Sequence, residues 1–134
     1  MIERIDPDSL RSPEEYYTHV IKAGNMVFVA GQVAVGKDRK IIGADDITVQ
    51  AEETFRQVRA CLRAAGTDFQ FVVKLNTFIT NPDHVDPVGE VRTRLLHQEG
   101  LRPASTLVVV KSLAKPDQLI EVECIALCPA ASDR

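Results

Sequence analysis

The sequence predicts an α+β fold in which two helices pack on one face of a mixed β-sheet of about six strands. Segments rich in β-branched and aromatic residues have the length and composition of strands. Two other segments repeat apolar residues every three or four positions, as amphipathic helices do. Their order along the chain is roughly ββαβαββ, which is typical of a layer of helices on a sheet.

The first elements form a hairpin that follows an irregular start. Residues 1–13 are expected to be an extended arm, because prolines stand at positions 7 and 13. Strands are predicted over Thr18–Lys22 and Met26–Ala30. A tight turn at Ala23-Gly24-Asn25 joins them.

The first helix is bounded by a signal at each end, and a strand follows it. Asp46 is the predicted N-cap, and Gly66 ends the helix as the residue after its C-cap. The next strand is predicted over Phe71–Thr80. One face of that strand would carry Phe71, Val73, Leu75, Thr77 and Ile79, and the other Val72, Lys74, Asn76 and Phe78.

The second helix and two strands complete the order. Asp86 is predicted as the N-cap, with Pro87 at the first helical position and Gly100 as the end. The last strands are predicted around Thr106–Val110 and Leu119–Leu127. If the strands on either side of this helix are parallel, the connection would be right-handed.

Composition limits the possible classes of protein. A chain of 134 residues fits one domain over residues 1–134, and the 45% apolar share is that of a globular protein. The net charge of −3 argues against a nucleic-acid partner. No apolar run approaches the roughly 20 residues that span a bilayer, and the charged start is not a secretory signal, so a cytosolic location is expected.

The cysteines and histidines indicate no metal or cofactor. Cys61, Cys124 and Cys128 form no CxxC pair and are expected to be unpaired thiols in a reducing compartment. His19, His84 and His97 lack the spacing of metal ligands.

Two acids in the last predicted strand are the strongest local signal. Glu121 and Glu123 are two residues apart, so they share one strand face with apolar neighbours. That face either reaches solvent at an edge or forms a site, because carboxylates in apolar surroundings are costly. If Glu123 were buried beside Glu121, its pKa would rise and suit it to acid–base work. Lys74 would pair with Glu121 or lie at the surface.

Several short motifs occur in a characteristic order. They are Tyr17, Gly24-Asn25-Met26, Gly31-Gln32, Gln50-Ala51, Ala64-Ala65-Gly66, Val72-Val73-Lys74, Pro103-Ala104-Ser105-Thr106 and Ile120–Ala126. Together they resemble the RidA/YjgF family, also called L-PSP endoribonuclease-like proteins, from about Tyr16 to Leu127. The resemblance implies a chorismate-mutase-like protomer and a homotrimer with ligand clefts between subunits. Independently, one sheet face would be left apolar and uncovered, which predicts self-association.

The resemblance also implies site residues. Enzymes of this family hydrolyse imines or enamines, and Glu123 matches the glutamate that positions water. Tyr17 matches a tyrosine that closes the pocket, and Gly31 matches a glycine after the second strand. Ordinary core packing is an equal alternative for Tyr17. Ser105 and Thr106 would offer hydroxyl and N–H groups at the cleft, or would simply begin a strand.

One family residue is missing. The arginine that holds the substrate carboxylate is replaced by Ser105, and the second helix has Val88 and Val91 where the family often has Asn and Tyr. A bidentate arginine suits a carboxylate because its planar fork matches it. Arg92, Arg94 and Arg102 are possible substitutes; the alternative is that they are solvated surface charges.

Three functional hypotheses follow. The first is an imine or enamine hydrolase of altered substrate specificity. The second is a small-molecule binder or sensor that keeps the clefts without the chemistry. The third is the ribonuclease named in one family label, against which stand the acidic balance and the few aromatic residues for base stacking.

Overall fold

The computed structural model describes residues 1–96 and 102–130, and in these ranges six strands form one sheet in the order β1-β2-β3-β6-β4-β5. The strands are β1 (Ile2–Ile5), β2 (Val20–Ala23), β3 (Met26–Val33), β4 (Val72–Ile79), β5 (Ala104–Val109) and β6 (Ile120–Leu127), and the helices are α1 (Ile47–Ala64) and α2 (Val85–Leu96). Strands β4 and β5 are parallel, and the other pairs are antiparallel. The predicted α+β fold is confirmed.

The first hairpin gains a third strand from the N-terminal segment. Residues Ile2–Ile5 pair antiparallel with β2, so the segment expected to be an extended arm contributes one of the two edge strands of the sheet. Gly24 takes a φ of +61° in the turn between β2 and β3, a conformation that glycine adopts without steric cost. Strand β3 continues three residues beyond the predicted end at Ala30.

Helix α1 begins and ends as its sequence predicts. The side chain of Asp46 accepts a hydrogen bond of 3.1 Å from the N–H of Val49. At the other end, Gly66 has a φ of +87° and Thr67 donates to the carbonyl of Leu62 at 3.0 Å. These bonds form a Schellman motif, which satisfies carbonyls at the helix C-terminus.

Helix α2 begins earlier than predicted. A 3₁₀ turn over Pro82–His84 leads directly into the helix at Val85, and Asn81 caps that turn by accepting from the N–H of Asp83 at 2.9 Å. Asp86 therefore lies inside the first turn, and the prediction that it is the N-cap is wrong. Its charge still favours the helix N-terminus. The predicted end at Gly100 lies outside the described residues.

Strand β4 contains an irregularity that changes the faces of its first residues. The register with β6 shifts between Val72 and Lys74. Val72 is buried at 5% exposure and Val73 is 41% exposed, the reverse of the predicted faces. Beyond the shift, Leu75, Thr77 and Ile79 are buried together, as predicted.

The core lies between the sheet and the helices. Buried residues of β6 alternate with half-buried ones, and the buried set packs against α1. Cys61 and Cys124 are both buried there as free thiols, and burial raises the pKa of each to about 12. Among the described residues, no helix is both long and apolar enough to cross a bilayer.

The opposite face of the sheet, here called the open face, has apolar side chains around polar ones. Its residues on β3, β6, β4 and β5 are Phe28, Glu121, Glu123, Ile125, Lys74, Asn76, Phe78, Thr106 and Val108. Phe28 and Val108 are 41% and 40% exposed. Within the described part of the chain, both helices lie on the other side.

Candidate functional site

A row of polar groups crosses the middle of the open face. Strand register sets Glu123 beside Asn76, and Asn76 beside Thr106. The amide Nδ2 of Asn76 donates a hydrogen bond of 3.1 Å to Oε2 of Glu123. One carboxylate oxygen is therefore fixed in direction, which is how a general base is aimed at a water molecule.

A β-bulge lies on the other side of Glu123. Val29 pairs with Cys124 and Gln32 pairs with Val122, so Ala30 and Gly31 together oppose Glu123. Such bulges are common beside active sites because they change the direction of the backbone. A Cβ at Gly31 would lie 2.6 Å from Oε2 of Glu121. The absence of a side chain at Gly31 is therefore what lets the Glu121 carboxyl approach the strand.

Glu121 and Glu123 form an interacting pair of carboxyls. Burial raises the pKa of Glu121, the charge of Glu123 raises it further, and Arg11 opposes the change. Glu121 lies beside Phe78 in the sheet, so part of its surroundings is apolar. A carboxyl that keeps its proton to a higher pH can donate that proton to a bound molecule.

Lys74 contacts Thr106 instead of Glu121. Its ammonium group donates to Oγ1 of Thr106 at 2.9 Å. The sheet register explains the difference from the suggested pair, because Lys74 lies beside Ile125 and not beside either acid. Thr106, a predicted site residue, thus lies on the open face with Lys74 and Asn76.

Ser105 points to the helix side of β5, away from this row. Its Oγ accepts a hydrogen bond of 2.8 Å from Nη1 of Arg92 on α2. Burial lowers the pKa of Arg92. The guanidinium therefore contacts the residue that stands where the family pattern has arginine.

The other two arginines lie elsewhere. Arg94 faces Glu52 on α1 at 3.7 Å, with both side chains about half exposed. Arg102 is exposed at the start of β5. Val88 and Val91, the positions where the family often has Asn and Tyr, are each 1% exposed in the core. Of the three proposed substitutes, Arg92 alone contacts Ser105 within residues 1–96 and 102–130.

Tyr17 lies in the N-terminal segment beside a buried polar cluster. Its ring packs edge-on against that of His19, with 5.5 Å between centroids, and its side chain is 43% exposed. His19 is fully buried; its Nε2 lies 2.8 Å from the carbonyl of Arg11, and its Nδ1 lies 3.1 Å from Nε2 of Gln32. Because the Gln32 amide donates to Nδ1, the tautomer with Nε2–H is the one that fits.

Sequence reasoning did not find two parts of this region. Asn76 was placed on the correct face, but nothing in the sequence aligns it with Glu123 across strands. Arg11 is 8% exposed and donates to Oε1 of Gln57 at 2.9 Å, a partner 46 residues away. A residue in an irregular segment has no periodic signal. No group of three or more possible metal ligands occurs among the described residues.

Comparison with known proteins identifies the family. The sequence profile of the family described as Endoribonuclease L-PSP matches residues 9–128. The chain belongs to this family. A RutC family protein of Pyrococcus horikoshii is 32% identical over 126 residues, which are 94% of this chain and 98% of the relative. The RidA/YjgF resemblance is thus confirmed.

Solved structures of L-PSP family members have the same fold. The YjgF gene product of E. coli superposes with a TM-score of 0.85 at 25% identity, over 93% of this chain and 98% of that one. E. coli TdcF, solved with bound serine, gives a TM-score of 0.86 at 27% identity over the same shares of the two chains.

Proposed function

We propose that this L-PSP family protein is an imine or enamine hydrolase of altered substrate specificity, acting in clefts between the subunits of a homotrimer. The observation that carries the proposal is the position of Glu123, fixed by Asn76 opposite the Ala30–Gly31 bulge and next to Glu121. The serine bound in E. coli TdcF supports a small amino-acid-like ligand. The buried thiols of Cys61 and Cys124 support a reducing compartment, the cytosol.

The two carboxyls provide an acid and a base for this reaction. Glu123 accepts a proton from water as the oxygen attacks the carbon of the C=N bond, while Glu121 donates its proton to the nitrogen. The resulting carbinolamine takes a proton on its nitrogen from Glu123 and gives its hydroxyl proton to Glu121. The C–N bond then breaks, ammonia or amine leaves, and a carbonyl compound remains with both carboxyls restored. Overall, one imine and one water give one carbonyl and one amine.

Arg92 supports a substitute for the missing arginine. Its guanidinium donates to the neutral hydroxyl of Ser105, and within the described residues it makes no ion pair. A substrate carboxylate would supply the negative charge that Arg92 lacks among these contacts. Arg92 lies on the helix side of the edge strand β5, whereas Glu123 lies on the open face, so a substrate held by both would pass around that edge. Its carboxylate would then lie at a different place from that in relatives with arginine at position 105, and substrate preference would change.

The first test uses imines generated in place by an amino-acid oxidase, with anionic and neutral substrates in the panel. Glu123→Gln keeps the acceptor for Asn76 and removes the base, so we expect kcat to fall by about 10²- to 10⁴-fold. Glu90→Gln, at an exposed position on α2, is the control and should leave kcat unchanged. Equal rates for the two variants would exclude Glu123 as the base.

The second test concerns Arg92. Arg92→Gln should lower kcat/KM for anionic imines by roughly thirty- to several-thousandfold, the effect of losing a charged contact worth about 2–5 kcal/mol, and should spare neutral imines. Arg94→Gln removes a helix arginine that faces Glu52 and is the matched control. A loss of equal size on neutral substrates would mean that Arg92 only supports the fold.

The non-catalytic binder gives a different pattern in the same experiments. Such a protein would accelerate no imine in the panel, and Ser105→Arg would not create activity. Gain of activity on imino acids by Ser105→Arg would instead show that the remaining groups are competent.

A further inference from the structure

A cavity of about 590 Å³ lies at the end of the sheet where β3 finishes and β6 begins, apart from the row that contains Glu123. Its wall consists of Arg11, Val35, Arg39, Ile41 and the segment Lys115–Gln118. Three of these side chains are cations and one, Asp117, is an acid. This local excess of positive charge occurs in a chain whose net charge is −3.

Arg11 is the unusual member of this wall. It is 8% exposed, and among the described residues it forms no ion pair. Its Nη1 donates to the neutral Oε1 of Gln57 at 2.9 Å. A buried guanidinium without a carboxylate in direct contact is costly, because water has been removed and the charge of Glu121 acts on it only through space.

The guanidinium is nevertheless held in one place. The amide of Gln57 donates to the carbonyl of Val35 at 3.0 Å and to Glu53 at 2.9 Å, which orients its Oε1 toward Arg11. The backbone carbonyl of Arg11 also lies 2.8 Å from Nε2 of His19, which holds this part of the chain in place. A charged donor that is positioned before the ligand arrives loses little entropy on binding.

The two other cations stand at the mouth of the cavity. Arg39 is tied to Glu14 at 2.8 Å and to the carbonyl of Ser12 at 2.9 Å, so its charge is partly used. Lys115 is exposed, and no ion pair involving it occurs in residues 1–96 and 102–130. Arg11 and Lys115 are therefore the two cations of this wall that could still form an ion pair with a bound anion.

We propose that this cavity is a binding site for a small dianion, either a phosphate group or a pair of carboxylates, with Arg11 as the inner contact and Lys115 as the outer one. The volume is in the range of small-molecule sites. Guanidinium groups suit both kinds of anion because their N–H groups form a fork. The charge of Arg11 also acts on Glu121, so Lys115 and Asp117, which lie apart from the Glu123 row, are the residues whose variants separate this proposal from imine hydrolysis.

The test measures binding of inorganic phosphate and of malonate to the full chain by calorimetry at constant ionic strength, with thermal unfolding as a second readout. We expect saturable binding of at least one of them, with one site per chain. Lys115→Gln should weaken it by roughly two- to fivefold, and Asp117→Asn should strengthen it by a similar factor. Lys37→Gln, an exposed lysine outside the cavity, should have no effect.

Arg11→Gln should weaken binding by at least about thirtyfold, provided that circular dichroism shows a folded protein. If that variant does not fold, the opposite effects of Lys115→Gln and Asp117→Asn decide. Binding of phosphate alone would indicate a phosphate ester, and binding of malonate alone a dicarboxylate. No saturable binding of either anion, or equal affinities in the Lys115, Asp117 and Lys37 variants, would overturn the proposal.

Discussion

At Gly31 the backbone passes so close to Glu121 that any side chain would displace the carboxyl. An added Cβ would lie 2.6 Å from Oε2 and 3.0 Å from Cγ of Glu121. We expect Gly31→Ala to lower the free energy of unfolding by about 1–3 kcal/mol and imine hydrolysis by at least roughly tenfold. Urea unfolding and the imine assay measure the two effects.

Gly89 provides the matched control for that substitution. It lies in α2, and a Cβ there would meet nothing within 4 Å. Gly89→Ala should therefore stabilise the protein by up to about 1 kcal/mol, because alanine has the higher helix propensity. If both alanine variants behave alike, the close approach of Glu121 to Gly31 has no energetic consequence.

Glu121 also gives a pH dependence with a defined sign. Its pKa in the folded protein is raised above the ordinary 4.5, so the folded state binds the proton more tightly than the unfolded state. The free energy of unfolding should therefore fall as the pH rises from about 4.5 through the raised pKa. Glu121→Gln should remove this decrease, as measured by urea unfolding of both proteins across that range. A constant difference between the two curves would contradict it.

Single residues of the site were predictable only where a motif carried them. Glu123 and Gly31 came from a family pattern, and Thr106 was named for the hydroxyl and N–H groups that it could supply. All three lie on or beside the open face. Asn76 and Arg11 depend on partners that are 47 and 46 residues away in the chain, and such distances carry no local signal.

The start of helix α1 tests how much an N-cap side chain stabilises this protein. Asp46 is exposed, and its side chain accepts from the N–H of Val49. Asp46→Ala should lower the free energy of unfolding by about 1 kcal/mol, since a helix N–H loses its acceptor. Asp46→Asn keeps an acceptor and should be nearly neutral, as measured by urea unfolding. Equal losses in both variants would assign the effect to charge alone.

Element ends differed in how well the sequence predicted them. Both caps of α1 are satisfied by residues within five positions, so the local pattern was sufficient. The predicted start of α2 was wrong because Asn81 begins a 3₁₀ turn that continues into the helix. The predicted sheet faces of Val72 and Val73 were wrong because the register between β4 and β6 shifts at these residues. The alternation of residues along one strand does not show how that strand pairs with its neighbour.

For the whole molecule, the open face is the surface that self-association would cover. Phe28 lies in this face at 41% exposure, beside Ile125. Phe28→Lys should convert the proposed trimer to monomers, because each interface would bury an unpaired ammonium group. Val49→Lys, at 39% exposure on α1, is the control and should leave the mass unchanged. Light scattering after size exclusion measures it, and a monomeric parent protein would refute the trimer.

The fold as a whole was the most predictable level. Two helical periodicities and a set of strands admit few arrangements, and the α+β layer follows from them. The edge strand β1 was missed, because IERI is short and alternates weakly. The strand order, with β6 between β3 and β4, is a matter of long-range pairing and was not specified.

The two core thiols, Cys61 and Cys124, also allow opening of the core to be measured by chemical labelling. With a pKa of about 12, Cys61 and Cys124 would be ionised in only about one molecule in 10⁵ at pH 7. Alkylating reagents attack the ionised form, so these sulfurs become reactive only when α1 separates from β6. The rate at which they are labelled in native buffer would then measure how often the molecule visits its unfolded state.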